Sequence, residues 1–413
     1  MRSVVDETIR AGLRALPSAD FAVEAGLTIL LWSVLSLYLA GDLYWLYEML
    51  RYGLWARSPP RRYGGRDVQV RILTVDNASV VRDTVRRLPS SFEERYVIAE
   101  EPMDVPGAEV RVVPESFECD ATNKGRALEW ARRTIDCDRE FVLFLDEDSH
   151  LLEFGGLPDA DIVQFNERPR RTTSWLTYLC EINRIGFQIE QRAFPSLAVP
   201  LYAWGGGIAI RSSLEDEITW DYPTVIEDTI FLWRAFTEAA DDVSLAFIPD
   251  RVSNQAPPTI RAMFRQRRRW IAGSREDNGL LSLDRVLMYG IRDLSWSVTG
   301  VIPVLFLVGL FSGVDIFFAD RYRLTSLALL LFMYVWIGIG IYRYRPSLPV
   351  AVAVVVLAPI TTVLHSVGAL WGLVSQPDTF DVTNKVDETD TADSERPASD
   401  ADDRGRRVER VDD

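Results

Sequence analysis

The stretch FVLFLDEDSHL, Phe141–Leu151, decides the fold. Five large apolar residues in a row, Phe141 to Leu145, predict a strand buried on both faces, as in a sheet covered by helices on each side. The polar break at Asp146 marks the strand's carboxyl end, and Glu147 and Asp148 follow directly. Strand alternation puts Asp146 and Asp148 on one side and turns Glu147 away. Two carboxylates converging at the carboxyl edge of an open α/β sheet, where such sheets take ligands, repel unless a cation sits between them. A hard divalent ion, Mg²⁺ or Mn²⁺, suits oxygen ligands and keeps water or phosphate oxygens as its remaining partners. The stretch therefore reads as a metal–diphosphate site or, at this spacing alone, as a solvated acidic junction.

Working outward, residues 67–254 read as one soluble α/β domain. Strand-like runs are Val68–Thr74, Arg95–Glu100, Ala108–Val113 and Ala160–Asn166, with helical stretches at Ala78–Leu88 and Lys124–Thr134. This alternation predicts a mostly parallel sheet. Upstream, residues 1–20 mix acids with arginines, unlike the basic start of a signal peptide. Residues 21–41 are apolar enough for one transmembrane helix, and 42–66 form an arginine-rich juxtamembrane linker. By the positive-inside rule that linker is cytoplasmic.

Downstream, residues 255–293 are an amphipathic interfacial region, and 294–375 hold three transmembrane or re-entrant segments: Leu294–Val314, Leu324–Tyr342 and Ser347–Val374, the last breakable at Pro359. Residues 376–413 carry 13 acids and 6 bases, an expected disordered tail. That tail holds nearly half of the net charge of −15, which speaks against nucleic acid as a partner. Lysine occurs only at Lys124 and Lys385 among many arginines, a composition that suits a salt-rich, halophilic cytoplasm or a GC-rich coding sequence. Cys119, Cys137 and Cys180 lack metal-ligand or disulfide spacing and point to a reducing compartment.

Four further motifs carry chemistry. Asp76, in TVDN at the end of the first strand, is placed to accept hydrogen bonds from a base or ribose, or to make an Asx turn. In DATNKGRAL, Asp120 to Leu128, Asn123 can cap a helix whose first amides suit an anion, and Lys124 offers a point-charge ammonium to a phosphate. Gly205, Gly206 and Gly207 allow close approach of backbone to ligand, and Glu227–Asp228 at a helix start supply a general base or a helix cap. In QRRRW, Gln266 to Trp270, an arginine fork can meet a diphosphate and an indole can stack on a sugar.

Taken in order, these motifs resemble the membrane-integrated glycosyltransferases of family 2, which include cellulose, chitin and hyaluronan synthases. Asp146–Asp148 looks like the family's DxD motif, Glu227–Asp228 like its ED, and Gln266–Trp270 like its QxxRW. The segment around Lys124 is similar to its donor-site region. The short anchor and the glycine run are more similar to the egghead-type β-1,4-mannosyltransferases within that family. Thr74–Asn77 departs from the usual first motif, and the chain lacks a bundle of six or more carboxy-terminal helices.

The resemblance implies a GT-A nucleotide-sugar-binding domain with transmembrane helices, in the plasma membrane, with the catalytic domain cytoplasmic. It implies an inverting, metal-dependent transfer from a nucleotide diphosphate sugar to a lipid-linked or glycan hydroxyl. Asp228, assisted by Glu227, would be the catalytic base. Asp76, Asp120, Lys124, Asp146, Gln266 and Arg269 would bind the donor, Asp146 and Asp148 the Mg²⁺ or Mn²⁺, and Trp270 with Gly205–Gly207 the acceptor. A membrane transporter or sensor with a nucleotide-binding α/β domain is the alternative. It would require paired intramembrane charges, for which His365 is the lone titratable candidate.

Overall fold

A computed structural model describes residues 19–301, 316–375 and 385–386. The expected span Leu294–Val314 lies mostly outside these residues, and so does the tail apart from Lys385 and Val386. The strand that organises the domain forms where the apolar run requires it, at Phe141–Asp146 (β5). Its side chains alternate between two cores. Phe141, Leu143 and Leu145 pack with Val81 and Val85 of the helix Ala78–Arg87 (α2). Val142 and Phe144 pack on the other face with Leu128 and Ala131 of Asn123–Thr134 (α3) and with Ile230 and Phe231 of Glu227–Glu238 (α6). Each such burial contributes about 1.5–3 kcal/mol.

The eight-stranded sheet contains, in spatial order, Glu109–Val112 (β4), Glu94–Ala99 (β3), Val68–Thr74 (β2), β5, Gly207–Arg211 (β9), Ile162–Arg170 (β8), Leu245–Gln255 (β10) and His150–Leu151 (β6). A separate pair joins Arg61–Tyr63 (β1) to Leu157–Pro158 (β7). The α/β expectation holds, and pairings β4–β3, β3–β2, β2–β5 and β8–β10 are parallel. The sheet is nonetheless mixed, because β9 is antiparallel to both β5 and β8 and β6 is antiparallel to β10. The β5–β9 register sets Leu145 opposite Gly207. The glycine run thus enters the sheet beside the end of β5.

The first apolar helix is longer than expected. Ala19–Glu48 (α1) continues through a π-helical turn, Met49–Gly53, so the first half of the linker is helical. At 1.5 Å per residue, the 33 residues Phe21–Gly53 reach about 50 Å, beyond a hydrocarbon core of about 30 Å. Its far end packs Trp45 and Met49 against Trp336 of Ala319–Tyr344 (α9), the second helix long and apolar enough to cross a membrane. The segment Ser347–Val374 is broken, as its length requires, into Leu348–Val356 (α10) and Ala358–Val374 (α11), bent by 67°.

The QRRRW segment lies on Ile260–Glu276 (α7), whose amino end is capped by Thr259 Oγ1 accepting from Ala262 N. This helix docks on α11 through small residues. A Cβ at Gly368 or Gly372 would meet Phe264 O or Arg268 O at 2.6 Å, so the two backbones cross closely, as small-xxx-small seams allow. Trp175–Ile185 (α4) and Leu283–Val298 (α8) complete the base of the domain. His365 of α11 donates from Nε2 to the Cys180 carbonyl of α4 at 2.7 Å, so it faces a neighbouring helix with that hydrogen bond satisfied.

Candidate active site

Three of the motifs meet around one ammonium. Lys124, in the first turn of α3, places Nζ 3.0 Å from Asp146 Oδ1, 3.4 Å from Glu227 Oε1 and 3.2 Å from Asp228 Oδ2. Asp146 ends β5, and Glu227 and Asp228 open α6, so three elements deliver one acidic cluster. Neither acid caps α6, whose N-cap is Ile226; both project from the first turn. Asn123 does not cap α3 either: it is the first helical residue, at φ +50°, a left-handed value that Asn tolerates.

The electrostatics follow from three carboxylates and one cation in a buried place. Burial pushes the Asp228 carboxyl up, Glu227 and Asp146 push the same way, and Lys124 opposes them, leaving it at about 7. Burial also works against charge on Lys124, but Asp146, Asp228 and Glu227 outweigh it and hold the ammonium well above its ordinary value. A carboxyl poised near neutrality beside a permanent cation has the properties of a general base.

The glycine run is needed at this point. A Cβ at Gly205 would run into the Asp228 carboxylate, and one at Gly206 into Asn254 and Glu167. Gly206 N donates to Glu167 Oε1 at 2.7 Å, which orients a buried carboxylate behind the loop.

The acidic trio differs from its expected arrangement. Ser149 N bonds Asp146 O at 3.0 Å, so the chain turns immediately after Asp146 and strand alternation ends there. Glu147 consequently does not face away. It lines the same cavity as Asp146, accepts from Thr74 Oγ1 at 2.6 Å, and burial raises it to about 7. Asp148 lies beneath, fully buried, with Oδ2 accepting from Gln255 N at 2.6 Å and Oδ1 2.7 Å from Lys385 Nζ. Burial acts to raise Asp148, but the Lys385 ammonium prevails and holds it below the usual carboxylate range.

These groups open into a cavity of about 910 Å³ that extends from the acids down between the apolar helices. Its wall includes Lys124, Asp146, Asp228, Gly205 and Gly206 at the sheet edge and Gln266, Arg269 and Trp270 from α7. Deeper, Tyr38 and Trp45 of α1, Trp296 of α8 and Trp336 of α9 continue the wall. Within QRRRW, Arg267 is buried in an ion pair with Glu181 of α4 and lies 4.2 Å from the Trp270 ring centroid, fixing the indole. Arg184 covers the Trp204 ring at 3.9 Å and bonds Glu181 at 2.7 Å.

Asp76 and Asp120 are exposed and outside the cavity wall, and Gly207 is already inside β9. Sequence reasoning missed Lys385, Glu167 and the Glu181–Arg184–Arg267 network. For Lys385 a signal existed: it is the chain's second and last lysine, in a second Thr-Asn-Lys tripeptide.

Among the described residues no group of three or more His, Cys, Asp or Glu side chains forms a ready metal cage. The donor set still fits a divalent ion that binds through one or two carboxylates plus phosphate oxygens. Asp148 already holds a cation, the Lys385 ammonium, on an oxygen with no hydrogen-bond donor otherwise.

An α/β domain with an acidic, lysine-centred cavity at its carboxyl edge, set on helices long enough to cross a membrane, defines a class: membrane-associated enzymes acting on anionic donors. Residues 141–341 match the family profile described as Glycosyl transferase family group 2. It is 24% identical over 303 residues to the β-1,4-mannosyltransferase egh of Drosophila melanogaster, spanning 66% of this chain and 66% of that one. Among solved structures it resembles a mannosyltransferase from Pyrobaculum calidifontis in complex with GDP-Man and Mn²⁺. The TM-score is 0.47 at 14% identity, over 81% of this chain and 97% of that one.

Proposed function

We propose that the protein is a membrane-bound, inverting hexosyltransferase that moves a sugar from a nucleotide diphosphate sugar to a hydroxyl of a lipid-linked or glycan acceptor. The observation that carries this reading is the half-buried Asp228 carboxylate, held at about 7 beside Lys124 in a cavity that runs on between the apolar helices. Asp228 takes the proton of the acceptor hydroxyl as its oxygen attacks the anomeric carbon; a single displacement inverts that centre. Such general-base action is typically worth about 10²–10⁴ in rate. Lys124 and Arg269 supply fixed positive charge toward the diphosphate. Asp146 and Asp148 would hold Mg²⁺ or Mn²⁺, which when bound stabilises charge developing on the leaving diphosphate.

Trp270, clamped by Arg267, and the Gly205–Gly206 loop shape the acceptor end. The aromatic depth of the cavity suits an acceptor arriving from the bilayer. The arginine-rich linker supports a catalytic domain on the cytoplasmic side of its membrane, which we take to be the plasma membrane. The mannosyltransferase relative makes mannosyl donors the first to try.

The test is release of free nucleotide diphosphate from a panel of nucleotide sugars, with Mn²⁺ and native lipid extract, by wild-type protein and Asp228→Asn in detergent. Release that the variant loses while it still binds nucleotide supports the reading. Folded protein that binds and turns over no nucleotide sugar refutes it in favour of a transporter or sensor.

A further inference from the structure

Asp148 is fully buried, yet only one side chain separates it from the cavity. Asp146 and Glu147 line that cavity and Asp148 does not; Lys385 does. The Lys385 ammonium stands on Asp148 Oδ1 at 2.7 Å, and its charge also reaches Asp146 and Glu147. The backbone that carries it is clasped. Val386 N donates to Gln255 Oε1 at 2.9 Å and Val386 O accepts from Gln255 Nε2 at 2.6 Å, a two-point pairing with one side-chain amide. Asn77 Nδ2 also donates to Lys385 O, at 3.5 Å. The chain's two lysines, residues 124 and 385, thus both stand on acids of one cavity, 261 positions apart in a sequence whose other basic residues are arginines.

We infer that Lys385 is a tethered cation that occupies the Asp148 carboxylate, and that a divalent ion must displace it to enter the donor site. This rests on the donor-site reading above. Arg170 supplies some positive charge nearby and Gln255 N bonds Oδ2, but Oδ1 of this buried carboxylate has only the Lys385 ammonium on it, and a buried charged oxygen is costly without such a partner. Space decides the competition: an ammonium at 2.7 Å from Oδ1 fills the place a divalent ion would take on that oxygen. Binding of the ion and seating of Lys385 are therefore mutually exclusive. By linkage, each weakens the other by the same factor. Tethering gives the ammonium an effective local concentration in the millimolar range, enough to oppose a free ion.

The experiment measures Mn²⁺ binding itself, by the free-ion electron paramagnetic resonance signal, on full-length protein in detergent. Lys385→Ala is expected to bind Mn²⁺ about tenfold or more tightly than wild type, and Lys385→Arg, which keeps the cation, to remain near wild type. Asp148→Asn and the double variant Asp148→Asn/Lys385→Ala are expected to lose that binding. Equal or weaker binding by Lys385→Ala, with Asp148→Asn still impaired, overturns the tethered-cation inference alone. Binding by the double variant equal to that of Lys385→Ala removes Asp148 as a metal ligand, and the donor-site assignment fails with it.

Discussion

The two ends of α3 each hold a cation among acids, and they are built to opposite rules. At the carboxyl end, Arg71 of β2 spends its donors on Glu215 at 3.1 Å, Gln69 at 2.8 Å and the Ile135 carbonyl at 3.2 Å, while Trp220 Nε1 bonds Glu215 at 2.9 Å. One charge meets one charge, and Arg71 is 1% exposed. At the amino end, the single ammonium of Lys124 faces Asp146, Glu227 and Asp228 and opens on a cavity. Balanced and closed charge holds structure. Unbalanced, open charge is chemistry waiting for a ligand.

The comparison breaks first at Asp228. Replacing it with Asn should lower turnover by about 10²–10⁴ and leave thermal unfolding nearly unchanged, read from nucleotide release and a melting curve. Arg71→Ala should do the reverse, destabilising the domain by about 3–5 kcal/mol in denaturant titration because Glu215 is left buried and unpaired. An Asp228→Asn that unfolds, or an Arg71→Ala that melts normally, would merge the two classes.

Gly205→Ala tests the contact between loop and acid. Its Cβ has no room beside the Asp228 carboxylate, so the acid must shift, and a displacement of about 1 Å costs about 10² in rate. The expected signature is a fall in kcat with the melting curve preserved.

The smallest effect is on pH dependence. The base is active as the carboxylate, so kcat/KM should rise with pH through about 7. Lys124 is what holds that carboxyl down, so in Lys124→Gln the midpoint of the rise should move to higher pH, whatever the residual rate. A midpoint that stays put would remove Asp228 as the titrating group.

Much of this was legible in the sequence because the deciding signals are local. An unbroken apolar run makes β5, and Val68–Thr74 makes β2 with the bounds its pattern gives. Lys124, Asp146, Glu227 and Asp228 sit at element ends, where side chains reach the edge of a sheet. What was not legible depends on turns and on distant chain. The turn after Asp146 exchanges the places of Glu147 and Asp148, and no alternation rule foresees it. The antiparallel entry of β9 between β5 and β8 joins residues far apart in sequence, so the sheet is more mixed than helix–strand alternation implies. Arg267 is in QRRRW, but its partner Glu181 is on another helix, and only packing reveals that this arginine braces Trp270 rather than facing the cavity.

The scarcity of lysine has a consequence for anyone handling this molecule. Its two ε-amino groups, on Lys124 and Lys385, both stand in the same acidic cavity, each with about 18% of its side chain exposed. An acylating reagent aimed at amines, which on most proteins decorates the whole surface, finds its side-chain targets here only at that cavity. Covalent tagging of lysine side chains in this chain therefore reports on that cavity, slowly, because the acids around both amines hold them protonated, and protection from the tag gauges what has entered.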